Sequence, residues 1–393
     1  MRRWLPVLTA VLALVALACE DDGGGDTTSD TGADTSGNAE TPSAPAEPVM
    51  FNGEGNNLNA YDSQPPFEKQ TVITNHEDDP DGLDINAQIC FFPDGSERFI
   101  AGEDTGQPDP PQGWGIFQLS GGAIGDFSAT QIGKLTPTYQ GSLDNAENYG
   151  CGFLSDGRIL TTDIGNQAEG TGNGQLIVWF PPDFGEASQA ESNEVPYCKI
   201  DTAIGTAGQI YVDNDDNVYV PSARDATVGV LKFTGPFPTS DDASGGCGRT
   251  DSTGAPLADT VNVEKFIEPT ELVSTPNGIV PSPDGGFNVS SVINGTIGEF
   301  DADGNFLRLV LQPPEGETLG EEPFSTGTPL GLGIDSDGTL YYADIGIVIS
   351  ADGIGPGDGT GKVRRIVFEN GEPLEPETLG GDLAFPDGIG ILE

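Results

Sequence analysis

The chain has 393 residues, with 63 Asp and Glu against 15 Lys and Arg, a single His, and a formal net charge of -48. That balance argues against a binder of the nucleic-acid phosphate backbone, which needs clustered cations. No apolar run reaches the ~20 residues of a membrane-spanning helix, and 57 Gly with 31 Pro between recurring aromatic and β-branched clusters point to an all-β fold rich in tight turns.

Arg2 and Arg3 precede an apolar stretch over residues 4–18 that ends at Cys19. A basic start, a short apolar core and small residues before the cut describe a secretory leader. Ala16-Leu17-Ala18-Cys19 resembles a bacterial lipobox, in which Cys19 is lipidated and becomes the mature N-terminus, although the usual Leu sits one place earlier than Leu17. Ordinary leader cleavage, with Cys19 incidental, is the alternative. Residues 20–47 carry acids but no Lys or Arg, among Gly, Thr, Ser, Ala and Pro, and read as a disordered tether. The expected organisation is a leader over 1–19, a tether over 20–47 and one folded domain over 48–393. Such a protein is exported and held at a bacterial membrane, on the periplasmic side or the cell surface, through its lipid anchor alone.

Four further cysteines remain: Cys90, Cys151, Cys198 and Cys247. An exported chain can pair them as two disulfides. Cys198 and Cys247 flank one stretch of chain outside the inner strands, and their pairing is expected. Cys90 and Cys151 occupy near-equivalent places in neighbouring repeats, so they either meet or stay free and buried.

Residues 48–393 repeat. Strand-like runs over 48–55, 97–104, 158–165, 217–223, 286–292 and 339–345 end in similar loops. The last five come after acidic turns built on Asp94, Asp156, Asp215, Asp284 and Asp337, which recur at a period of about 60 residues. Asp-Gly supplies the positive φ angles of a tight hairpin turn. A short apolar run precedes each turn, a third strand comes after it, and a fourth usually closes the unit. Four strands per repeat describe the blades of a propeller. Residues 385–392 look like a first strand with nothing after it, and residues 48–75 like second, third and fourth strands with no first. The fold expected is therefore an all-β, six-bladed β-propeller of four-stranded blades, its sixth blade closed by both termini. Two stacked sandwiches would not explain the incomplete end repeats.

Pro276-Asn277-Gly278-Ile279, with Ser282-Pro283-Asp284-Gly285 just after it, resembles the signature of the senescence-marker-protein/gluconolactonase (regucalcin-like) family. Pro386-Asp387-Gly388-Ile389 and residues 331–344 look like repeats shared by that family and by strictosidine-synthase-like and NHL propellers. The resemblance implies a divalent metal at the channel mouth, held by a Glu from the first blade, the Asn of the Pro-Asn-Gly motif and an Asp one blade later. Asn277 matches the Asn; Ala87 and Leu330 stand where the Glu and Asp are required, and Asp387, one blade further on, is the replacement carboxylate.

Aligning the turns gives one mouth position per blade: Ala87, Tyr149, Gly208, Asn277, Leu330 and Asp387. Asn86, Gln88 and Asn148 adjoin two of these. Adjacent loops add Glu54, Asn56, Glu103, Asp104, Asp163, Asn166, Asn294 and Asp344. A face rich in oxygen and poor in nitrogen and sulfur suits calcium. The expected ligands are Asn277, Asp387, Asn148 and Asn86; turn capping by Asn277 and Asp387 is the bland alternative. His76, among Asn75, Glu77, Asp78 and Asp79, could act as a general base on a metal-bound water or be a surface group only. The segments 213–217 and 301–305 begin like calcium loops but lack the closing Glu, and read as turns.

The sequence supports two functions. One is a calcium-dependent hydrolase of a lactone or other ester, with Asp387 as ligand and base and His76 as a second candidate base. The other is a non-catalytic propeller displaying its face to a ligand or protein. Either takes a small-molecule substrate or ligand at the mouth, binds no nucleic acid and is a monomer. Insertions at 235–262, on the opposite face, and 349–360, positioned to overhang the mouth, interrupt the pattern.

Overall fold

The computed structural model describes residues 47–103, 113–135, 146–166, 173–181, 195–351 and 353–393. The expected leader, the tether up to residue 46, Cys19 and Asp104 lie outside them. The acidic turns form the hairpins read from the sequence: Gly95, Gly157, Gly285 and Gly338 all hold φ between 71° and 90°. In blade 3 a non-glycine, Asp216, takes the same left-handed region at 59°.

Blade 1 runs outward through Ile85–Phe91, Arg98–Glu103, Gly113–Ser120 and Ser128–Leu135. Blade 2 begins with Ala146–Phe153, Ile159–Asn166, Gly174–Trp179 and Tyr197–Ile204, blade 3 with Tyr211–Val212, Val218–Ser222, Gly229–Thr234 and Asn262–Ile267. Blade 4 is Pro276–Pro281, Phe287–Ser291, Thr296–Phe300 and Phe306–Leu311; blade 5 is Pro329–Ile334, Leu340–Asp344, Gly361–Ile366 and Glu377–Leu383. Blade 6 joins the termini: Ile389–Leu392 pairs antiparallel with Val49–Glu54, and Asn57–Asp62 and Lys69–Ile73 complete the sheet. Among the described residues there is no α-helix.

Alternation within these strands buries both faces of each blade, so the core divides into layers between neighbours. One apolar cluster lies at each of the six blade interfaces. Between blades 6 and 1, for example, Phe51, Leu58, Phe99 and Phe117 pack together, all fully buried.

The inner strands approach closely around the axis. A Cβ on Gly388 would collide with the Ala87 carbonyl oxygen, and one on Gly331 with that of Asp387, so glycine is required at both. Blades 1 and 3 carry Gln88 and Gln209 at this register, and each side chain bonds to the inner region of other blades. Gln209 spans from blade 3 to blade 5, donating from Nε2 to the Leu332 carbonyl at 2.8 Å and accepting the Leu332 N–H at 3.0 Å. Gln88 Oε1 accepts the N–H groups of Cys151 at 3.0 Å and Ile210 at 3.3 Å.

Both disulfides form. Cys198 joins Cys247 as expected, and Cys90 joins Cys151, resolving the open alternative in favour of a staple between the inner strands of blades 1 and 2. Two bridges fit an oxidising compartment outside the cytoplasm. No helix of the described residues is long and apolar enough to cross a membrane.

Within the 235–262 insertion, Arg249–Thr250 and Pro256–Leu257 fold back from blade 3 and extend blade 2 to six strands, beyond the four expected. Arg158, beside the first turn of blade 2, donates to the carbonyls of Phe237 and Pro238. This puts the insertion on the turn face, opposite the mouth. The 349–360 insertion contains most of a hairpin, Ile347–Ser350 against Gly353–Pro356, on the mouth side.

Candidate functional site

Three polar side chains reach the channel mouth from alternate blades: Tyr149 from blade 2, Asn277 from blade 4 and Asp387 from blade 6. They are 8%, 4% and 5% exposed. Ala87, Gly208 and Leu330 separate them, so the polar groups alternate with small or apolar ones around the ring.

Asp387 Oδ2 accepts the Ala87 N–H at 2.9 Å, and Oδ1 accepts its neighbour Gly388's N–H. Burial pushes the Tyr149 phenol well above its ordinary value, and the Asp387 charge adds to the shift. The Tyr149 hydroxyl and the Asn277 Oδ1 are buried with no hydrogen-bond partner among the described residues. Orphaned buried oxygens are uncommon and each calls for an explanation.

The other expected ligands divide. Asn148 donates its amide to the Gly113 carbonyl and thereby ties blade 2 to blade 1. Asn86 Oδ1 is buried and unpartnered among the described residues, like Asn52 Oδ1 on the adjoining strand of blade 6. A Cβ on Gly53 would lie 3.2 Å from the Asn86 Cα and 3.4 Å from Asp387 Oδ1, so Asn86 and Asp387 are neighbours. Asn277 stands two blades away, beyond Leu330. His76 is exposed on the loop entering blade 1; its backbone N–H donates to Asp84 at 2.8 Å, and its ring makes no hydrogen bond among the described residues.

Several loop acids and amides are committed elsewhere. Glu54 pairs with Lys69 at 3.0 Å, Glu103 with Lys134 and Gln131, and Asp344 with Arg364 at 3.0 Å. Asn294 Oδ1 accepts from Ser274 and Ser291. The calcium-loop-like segments are turns: Asp213 Oδ1 accepts from the Asp215 and Asn217 N–H groups, and Asp301 Oδ1 from those of Asp303 and Asn305.

Among the described residues no three His, Cys, Asp or Glu side chains cluster as a metal site. The Asn277 Oδ1 and the Asp387 carboxylate are oxygen donors of the kind a hard cation takes, but they stand on blades two apart. A single carboxylate makes the fit a weak one, because calcium affinity rises with ligand charge.

Above these groups lies a seventh apolar cluster that belongs to no blade interface. Tyr149 and Ile164 of blade 2, Val292 of blade 4, and Leu330, Ile345 and Ile347 of blade 5 are buried together, with Phe385 of blade 6 and Ile354 of the hairpin packed against them. Asp344 anchors the segment beside it by accepting the Thr328 N–H at 2.8 Å and the Gly346 N–H at 3.0 Å. The Ile347 N–H donates to Thr328 Oγ1 at 3.0 Å. Sequence reasoning places Tyr149 at the mouth without assigning it a role, and it misses the apolar layer. The repeat alignment holds the signal for the first, since Tyr149 is the largest of the six mouth side chains.

No protein-family model matches the chain, and no curated protein matches it by sequence. Solved structures do. The nidogen/laminin complex contains a chain with a TM-score of 0.51 and 11% identity, over 88% of this chain and 98% of that one. A Bacteroides caccae protein of unknown function gives a TM-score of 0.48 and 13% identity, over 88% and 100%. A gluconolactonase from Xanthomonas campestris gives 0.44 and 13%, over 73% and 75%. Virginiamycin B lyase from Staphylococcus aureus and a streptogramin B lyase are also among these neighbours. At such identities the likeness is one of fold.

Proposed function

We propose that this protein is an exported propeller that hydrolyses a lactone or other ester at its channel mouth. The observation supporting this most is the pair of buried, unpartnered groups there, the Tyr149 hydroxyl and Asn277 Oδ1, on the same ring as Asp387. Unmet polar capacity at a buried site is what a polar ligand satisfies. A divalent cation, calcium by the chemistry of the donors, held by Asn277 and Asp387 with Asn86 beside Asp387, would polarise the ester carbonyl.

Asp387 accepts the proton as water adds to the carbonyl carbon. The bond from that carbon to the ester oxygen then breaks, and the proton passes to the departing alkoxide, leaving an alcohol and a carboxylic acid that releases its own proton to water. His76 is exposed and its ring is oriented by no hydrogen bond among the described residues, so the base role falls to Asp387. In this reading the leader is cleaved, lipid on Cys19 anchors the chain, and the propeller works as a monomer away from the membrane. Detergent partitioning that is lost in Cys19→Ser tests the anchor.

A second reading, a non-catalytic ligand- or protein-binding propeller, is favoured by the two backbone N–H groups that occupy Asp387 and by Ala87 and Leu330 at the remaining metal positions. A panel of lactones and aryl esters, assayed with calcium and with EDTA, separates the two. Turnover that EDTA abolishes supports the hydrolase. No turnover of any member with any divalent metal leaves the binding propeller.

A further inference from the structure

The apolar layer over the mouth narrows the substrate class, an inference that rests on the hydrolase reading. The six other apolar clusters each cement two neighbouring blades; this one gathers side chains from blades 2, 4, 5 and 6 that no interface needs. Beneath it sit one phenol donor and one amide acceptor, both buried and unpartnered among the described residues, and one carboxylate. A phenol with its ordinary value near 10 is protonated at neutral pH and donates.

A polyhydroxylated ring would leave its hydroxyl groups unpaired against Ile345, Ile347 and Val292, which is unfavourable. A ligand polar at one end and aliphatic at the other matches both layers. We propose that the mouth takes a lactone or ester bearing an aliphatic substituent, with the Tyr149 hydroxyl donating to its carbonyl oxygen and the substituent lying against Leu330, Ile345 and Ile347. The strand Ile347–Ser350 carries Ile347 in that layer. Its edge is held to the body by the Ile349 N–H donating to the Gly320 carbonyl at 2.6 Å.

The test uses the mature protein with calcium and a series of γ-lactones of increasing alkyl length, beside a polyhydroxylated sugar lactone. The expected result is a rise in kcat/KM of about fourfold per added methylene until the layer is filled, with the sugar lactone poorest. Ile347→Ser flattens the dependence on chain length. Tyr149→Phe lowers kcat/KM along the whole series and leaves the slope unchanged. A preference for the sugar lactone, or no dependence on chain length, overturns the proposal while the hydrolase reading stands. If no lactone is turned over, the hydrolase reading falls, and calorimetry with alkyl lactams decides the rest. Affinity that rises with chain length keeps the aliphatic site; uniform or absent binding removes it.

Discussion

Asp387 in blade 6 accepts the backbone N–H of Ala87 in blade 1 at 2.9 Å, across a sequence separation of 300. This bond lies where the two ends of the domain close the ring. One carboxylate thus serves both the mouth and the seam, and Gly388 beside it permits the approach of the two inner strands.

Closure makes the C-terminal strand indispensable. Deleting residues 385–393 removes Ile389–Leu392, uncovers the paired edge of Val49–Glu54 and opens the layer that holds Leu392. A large fall in melting temperature is expected, with any calcium stabilisation lost as well. Deleting residues 20–40 is expected to leave the melt unchanged, as the composition of that stretch implies. Equal melting temperatures for the two deletions would contradict closure.

The Cys90–Cys151 staple spans a sequence separation of 61. On the chain-entropy account a loop of that order stabilises the fold by about 4 kcal/mol. Cys90→Ser with Cys151→Ser should therefore shift the denaturant midpoint strongly downward, with a steeper slope as the unfolded chain expands. No shift would mean that the bridge adds nothing to the hydrogen bonds already joining these strands.

The glutamine across the channel makes a separate prediction. Gln209→Leu keeps much of the volume but leaves the Leu332 N–H and carbonyl without their partner. Each orphaned group costs about 1–3 kcal/mol. Denaturant unfolding should register the loss. Gln209→Glu should be destabilised as well, since it keeps the acceptor for the Leu332 N–H but loses the donor to the carbonyl. Wild-type stability in both variants would show that the bridge between blades 3 and 5 contributes nothing.

Lys199 and Asp251 form a buried ion pair at 2.8 Å that pins the 235–262 insertion to blade 2. Burial opposes ionisation of Asp251, but Lys199, the Thr253 hydroxyl and the N–H groups of Thr253 and Ala255 outweigh it and hold the carboxyl well below the usual carboxylate range. A depressed native value stabilises the fold above the unfolded value near 3.9 and loses that contribution as pH falls through the native one. Asp251→Asn should thus narrow the stability difference from wild type only below about pH 4. Unfolding curves between neutral and strongly acidic pH check this; a difference that is constant with pH would contradict it.

The fold is legible in the sequence because its punctuation is local. Each Asp-Gly turn is set by neighbouring residues, so Asp94, Asp156, Asp284 and Asp337 mark the hairpins independently of any long-range pairing. The half-repeats at 48–75 and 385–392 reveal the closure for the same reason. The mouth is legible only as a set of six positions. Side chains that are contiguous in space there come from blades 2, 4, 5 and 6, so no window of sequence holds the layer around Ile347 and Leu330. Acidic loops look like ligands because composition does not reveal partners: Glu54 and Asp344 are matched to Lys69 and Arg364 on other strands of their own sheets. Gln88 and Gln209 are hidden in a different way, since each sits beside a mouth position and its partners lie on strands distant in the chain.

The most direct test of the mouth as a catalytic site is kcat/KM of Asp387→Asn on the best ester or lactone of the panel, in calcium, with protein that melts like wild type. Asparagine keeps an acceptor for the Ala87 N–H but cannot take a proton from water. A loss of about 10²- to 10⁴-fold is the predicted result. Undiminished turnover by a folded Asp387→Asn protein would contradict the account and place the chemistry elsewhere.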